Sequence, residues 1–171
     1  MVGIGYLQDG SPRAVALRTT DGRHWASNGF PGSDESEQTL PAIYGFVCGD
    51  SACVAIGSLT LGGVERPTIW RTTDGLTWQQ VGTEVTDGLP DGSLVAIVTT
   101  PSGFLVLGVS EREALLSRDG LTWHAVPVLT ADDPGGIEQL AVNGDLIFGL
   151  GPDSIGGSRQ WLGSVAALPF D

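Results

Sequence analysis

The chain has 171 residues and a formal net charge of −12, set by 20 acidic residues against eight basic ones, all of them Arg. That balance disfavours nucleic acid or an anionic membrane surface as a partner, because long-range repulsion opposes both. An apolar content of 41% excludes a disordered chain, and no run reaches the roughly 18 apolar residues of a membrane span, while 26 Gly and 10 Pro predict many turns in place of long helices.

The length suits one domain, 1–171, in which two landmarks recur. One is a short apolar run closing on Gly: Val2-Gly3-Ile4-Gly5, Val54-Ala55-Ile56-Gly57, Leu105-Val106-Leu107-Gly108 and Leu146-Ile147-Phe148-Gly149. The closing glycines stand 52, 51 and 41 residues apart. The other is a hydroxyl residue, a spacer, Asp-Gly, two residues and a Trp. It occurs at Thr19-Thr20-Asp21-Gly22-Arg23-His24-Trp25, Thr72-Thr73-Asp74-Gly75-Leu76-Thr77-Trp78 and Ser117-Arg118-Asp119-Gly120-Leu121-Thr122-Trp123. In each, the Asp can bond the backbone two residues on, and the Gly supplies the positive φ of a tight turn. The Trp then opens the return strand with a large surface to bury.

Four repeats follow, at approximately 1–30, 41–82, 93–128 and 136–171, with strands a to d in each. The first opens directly on strand b, and its leading residues, Met1 to Tyr6, have no basic head and apolar stretch of an export signal. In the second, the expected strands are 42–47, 54–58, 68–72 and 77–81. Cys48 and Cys53 face each other across its a–b loop. They read as a hairpin disulfide of an oxidising compartment, with two reduced buried thiols as the alternative. In the third, the strands are 94–99, 104–109, 114–117 and 122–126. In the fourth, 137–142, 146–150 and 159–163 serve as a to c. The Asp-Gly box is lost there, and 168–170 is at most a short d. A period of about 40–50 residues without helical pattern predicts an all-β fold, a β-propeller of four-stranded antiparallel blades. Roughly fourteen strands make three to four blades, short of most propellers, so an incomplete arc of a larger propeller is favoured over a small closed ring or a ring completed by two copies. An open arc leaves apolar faces uncovered and self-associates unless the missing blades are supplied.

The three boxes resemble the Asp-box (BNR) repeat of sialidase-type β-propellers, Ser/Thr-x-Asp-x-Gly-x-Thr-Trp. Asp21, Asp74 and Asp119 match its Asp, Gly22, Gly75 and Gly120 its Gly, and Trp25, Trp78 and Trp123 its Trp. Thr77 and Thr122 match the Thr, where the first copy has His24, and in all three Asp and Gly are one residue closer than the pattern. The resemblance implies that each box lies on a c–d turn, away from the ligand face, with an Asp that makes the turn and is neither catalyst nor metal ligand. It also implies tryptophans that pack in the core or between blades, with a sugar-stacking platform as the alternative.

Strand alternation puts the b–c and d–a loops on the opposite face, where the family binds ligands, and most carboxylates fall in them. An Arg recurs at the start of strand c, at Arg13, Arg66, Arg112 and Arg159. These form either a ring of guanidinium groups gripping a carboxylate, or local pairs with neighbours such as Glu65, Glu111 and Glu113. The resembled sialidases use three Arg, a Tyr nucleophile assisted by a Glu, and an Asp. Only Tyr6 and Tyr44 are present, and the sequence assigns neither a Glu. The expected function is therefore a non-catalytic extracellular or cell-envelope binding module for carbohydrate or protein, with no cofactor or metal implied. The alternatives are a fragment of a sialidase-like or other glycoside hydrolase, and a purely structural repeat.

Overall fold

Short apolar runs punctuated by turn sequences pair most easily with their immediate neighbours, and every strand here does so. A computed structural model of the chain describes residues 1–7, 13–32, 41–86, 94–108, 113–127, 137–152 and 157–170. Among these residues are fourteen strands in four antiparallel sheets, each sheet a simple meander. Sheet one is β1 (Val2–Leu7), β2 (Arg13–Arg18) and β3 (Ala26–Gly29). Sheet two is β4 (Pro41–Cys48), β5 (Cys53–Leu61), β6 (Val64–Thr72) and β7 (Gln79–Val81), followed by one helical turn, α1 (Thr83–Thr86). Sheet three is β8 (Leu94–Thr100), β9 (Gly103–Gly108), β10 (Glu113–Ser117) and β11 (His124–Pro127). Sheet four is β12 (Gln139–Asn143), β13 (Leu146–Pro152) and β14 (Ser158–Ser164).

The short fourth strand expected at 168–170 does not form. A 3-10 turn, Val165–Ala167, takes its place, and the backbone there bonds locally, Leu168 N–H to Val165 O and Phe170 N–H to Leu168 O. Pro169 has no N–H to give a ladder. The two middle sheets therefore have four strands and the two end sheets have three. Cys48 and Cys53 are register partners at the β4–β5 corner and are joined as a disulfide.

The sheets stack face to face in chain order, as propeller-like blades do. Successive residues of a strand point to opposite faces, so a run such as Val54-Ala55-Ile56 serves two interfaces at once. Ala55 joins Ala14, Ala16, Trp70 and Trp78 between sheets one and two, whereas Val54 and Ile56 join Ile97, Val106 and Trp123 between sheets two and three. Leu105, Leu107 and Leu116 meet Ile137, Leu140 and Ile147 between sheets three and four. Burial on both faces explains why these runs show no polar alternation.

The box tryptophans fill the gaps between sheets. Trp78 is 4% exposed and stacks on Phe30, ring centroids 4.9 Å apart, sealing sheet two against sheet one. Trp123 is 2% exposed and does the same for sheet three against sheet two. Trp25 departs from the expectation of a packed Trp. It is 46% exposed and lines an open pocket with Arg18, His24 and Leu76 of the second box. The fourth repeat has no box Trp. A cavity of about 300 Å³ lies over Leu105 and Leu107, bounded by Ile147, Trp161 and Leu168, at the corresponding interface.

Each box glycine is left-handed, with φ of +72° at Gly22, +77° at Gly75 and +74° at Gly120. Their surroundings differ. A Cβ on Gly120 would lie 2.8 Å from Val54 Cγ2, and one on Gly75 2.6 Å from Val2 Cγ2, whereas one on Gly22 would meet nothing within 4 Å. Gly22→Ala is expected to cost only the backbone penalty of about 1–2 kcal/mol. Gly120→Ala is expected to cost at least about 1 kcal/mol more through overpacking. Urea unfolding of the two variants checks this, and equal losses would mean the corner is not seated on the sheet before it.

Candidate functional site

The two ends of the sheets carry different chemistry. At the c–d end each box closes on itself. In the second, Asp74 Oδ1 accepts from the N–H groups of Leu76 at 2.8 Å and Thr77 at 2.7 Å and from Thr72 Oγ1 at 2.9 Å, while Thr72 Oγ1 accepts from Gly75 N–H at 3.0 Å. Asp21 accepts from Arg23 and His24 N–H, and Asp119 from Leu121 and Thr122 N–H, in the same way. These bonds favour the carboxylate form. For Asp21, contact with the His24 ring leads, at 2.6 Å, and holds its carboxyl far below the ordinary range. For Asp74 the backbone N–H groups of Thr77 and Leu76 do so. For Asp119 partial burial pushes upward, but the N–H groups of Leu121 and Thr122 keep it lowered. The box carboxylates are thus engaged by their own turns.

The opposite end holds a group that the sequence did not assemble. β4 carries a bulge: Ile43 pairs with Gly57 and Gly45 with Ile56, so Tyr44 is an extra residue opposite one step of β5. Gly57 permits this. A Cβ there would lie 1.8 Å from the Ala42 carbonyl oxygen, so only glycine allows the strands so close. The closing glycine of the third repeat has the same place, with Leu94 paired to Gly108 and Ala96 to Leu107. In sheet two the bulge turns Tyr44 outward, and its ring is 47% exposed.

The Tyr44 hydroxyl donates to Glu65 Oε1 at 2.5 Å and lies 2.8 Å from Ser58 Oγ. Tyr6, at the same end of sheet one, accepts from Ile43 N–H through its hydroxyl at 2.9 Å, tying sheet one to the bulged strand. Partial burial, and then the adjacent Glu65 carboxylate, raise the Tyr44 phenol above its ordinary value. The hydroxyls of Ser58 and Tyr44 lower the Glu65 carboxyl. The pair therefore rests as neutral phenol and carboxylate.

Of the four recurring arginines, three lie within the described residues. Arg13 opens β2, Arg66 is exposed on β6 next to Glu65, and Arg159 is half-buried on β14, on three separate sheets; Arg112 lies outside the described residues. The acidic loop residues Asp9, Asp34, Glu35, Glu37, Asp87, Asp91, Glu111, Asp132, Asp133 and Asp153 also lie outside them. No group of three or more His, Cys, Asp or Glu that could hold a metal ion occurs among the described residues, and no helix there is long and apolar enough to cross a membrane.

No family model and no curated protein matches the chain. One solved structure similar to it is described in these words: the GH130 family of mannoside phosphorylases contains glycoside hydrolases that target β-1,2 mannosidic linkages in Candida mannan. The two share 14% identity with a TM-score of 0.45, over 95% of this chain and 62% of that one, so this chain spans less than two thirds of its length.

The lowered Glu65 carboxyl has a consequence in acid. Its stabilising contribution is present above the ordinary glutamate value and is lost as pH falls through the depressed one. Tyr44→Phe removes one donor, so the Glu65 carboxyl is expected to move back up toward its ordinary value. The variant should then lose less of its stability than the parent on acidification below about pH 4. A carbon-detected NMR titration reads the Glu65 carboxyl directly, and an unchanged midpoint would exclude the bond in solution.

Proposed function

We propose that the chain is a non-catalytic binding module of the β-propeller type, an arc of Asp-box blades from an extracytoplasmic protein. Its ligand, a carbohydrate or a protein surface carrying one, sits at the Tyr44 end of the sheets. The observation that supports this is the state of Tyr44. A half-exposed aromatic ring is held with its hydroxyl against Glu65 and Ser58, so a flat apolar surface stands beside fixed acceptors. A sugar ring has the matching character, with apolar C–H faces and hydroxyls at its rim. Arg66, exposed next to Glu65, adds a cation at the same end, and Arg13 and Arg159 occupy the equivalent strand starts of their sheets. The disulfide favours an oxidising compartment.

The raised phenol and the lowered carboxylate favour binding over chemistry. A nucleophilic Tyr needs an accessible phenolate, and a general acid needs a carboxyl raised toward neutrality. One observation favours the second reading, a sialidase-like or other glycoside hydrolase. Tyr44 and Glu65 form the kind of Tyr–Glu pair those enzymes use.

A glycan microarray followed by calorimetry tests the first reading. Retention of a defined glycan class is expected, with affinity reduced at least about tenfold by Tyr44→Ala. Absence of any glycan above background would remove the carbohydrate ligand. Parallel incubation with aryl glycosides and a sialoside separates the readings, because turnover abolished by Tyr44→Phe would establish the hydrolase instead.

A further inference from the structure

One position of the repeat carries a large side chain in three sheets and none in the fourth. Two residues before the glycine that closes each apolar run stand Gly3, Ala55, Val106 and Ile147. Their register partners on the next strand are Leu17, Trp70, Leu115 and Gly163. Trp70 and Leu115 pack toward the preceding sheet and are 0% and 3% exposed. Trp70 fills its seam with a flat indole, set edge-on to Phe30 with ring centroids 5.8 Å apart. At Gly163 that volume is missing, and a Cβ built there would meet only Ile147 Cβ, at 3.8 Å.

The cavity of about 300 Å³ between sheets three and four borders Gly163. Leu105 and Leu107 of sheet three line one side of it, and Leu140, Ile147, Trp161 and Leu168 line the other. The last four are only half-buried, so the cavity is reached from solvent. Among the described residues that line it none is charged, and the Ser164 hydroxyl is turned to Asp145 Oδ2 at 2.6 Å.

We propose that this cavity is a binding site for a small, uncharged, flat aromatic molecule of about the size of indole. The class of ligand follows from the counterpart position, where the seam between sheets one and two is filled by the indole of Trp70. An apolar cavity of about 150 Å³ takes a benzene molecule, so this one has room for two fused rings. Trp161 adds an aromatic wall against which a ring can pack offset or edge-on. A charged or heavily hydroxylated molecule would give up its water there without gaining partners, which sets this site apart from a sugar site. The seam is not the one that carries Tyr44, so the inference stands or falls independently of the ligand proposed there.

Titration of the 171-residue chain with indole, followed through its methyl resonances by NMR, is the test. Saturable shifts are expected at Leu105, Leu107 and Ile147, with Val54 and Ile56 in the preceding seam unmoved. Gly163→Leu puts into the cavity the side chain that Leu115 supplies in sheet three, and is expected to weaken binding at least about tenfold. Gly163→Ala serves if Gly163→Leu does not fold, with a smaller loss in the same direction. Hexanoate, a flexible charged chain, is expected not to displace indole. Absence of saturable shifts at the three residues would overturn the site, as would binding indifferent to both Gly163 variants. Displacement by hexanoate would overturn the aromatic class of ligand.

Discussion

The seating of each Asp-Gly corner on the apolar face of the sheet before it is the contact on which the architecture depends. A corner made by ordinary residues could close a hairpin, but it could not approach Val2 or Val54 as closely as Gly75 and Gly120 do. The Trp three residues on then fills what the corner leaves open, so one short motif both turns the chain and joins two sheets. Local and long-range structure agree at each corner, which is the consistency expected of a foldable sequence. Where the motif is lost, in the fourth repeat, a cavity stands at the corresponding interface.

The second landmark, the apolar run closing on Gly, has a different cause. At Gly57 and Gly108 the pairing of the first strand with the second shifts register, and at Gly57 a side chain would block the close approach. In sheet three the residue displaced by the bulge is Val95, but in sheet two it is Tyr44. The same backbone device is thus structural in one sheet and exposes a polar aromatic group in the other. Bulges commonly re-aim a side chain in this way beside functional sites. The pairing of Tyr44 with Glu65 needs the bulge, the β5–β6 hairpin and Ser58 on the strand between, so it comes from one sheet and no second domain.

Much of the architecture was legible in the sequence. The boxes and the glycine-closed runs anticipated antiparallel sheets and the order of strands, and the turn-formers between Cys48 and Cys53 anticipated their corner, because each depends on residues near in the chain. Turn formation, strand alternation and a short cysteine loop are local properties, and local residues decide them. The expected strands agree with β4 to β14 to within a few residues, apart from β6, which runs further toward the b–c loop, and the fourth repeat, where Pro169 and a 3-10 turn replace the last strand.

What lay beyond the sequence involved partners far apart in the chain. The shared pattern of the three boxes could not reveal that Trp78 and Trp123 are buried while Trp25 is half-exposed, since burial depends on what packs over each box. Nor did the sequence assemble the polar cluster of Tyr44, Ser58 and Glu65, which register across three strands brings together. Sequence by itself determined the repeat and its turns, because those are set by φ preferences and side chains within a few residues. Only the tertiary structure decided which faces are covered and which side chains meet, because burial and cross-strand hydrogen bonds depend on the stacking and register of whole sheets.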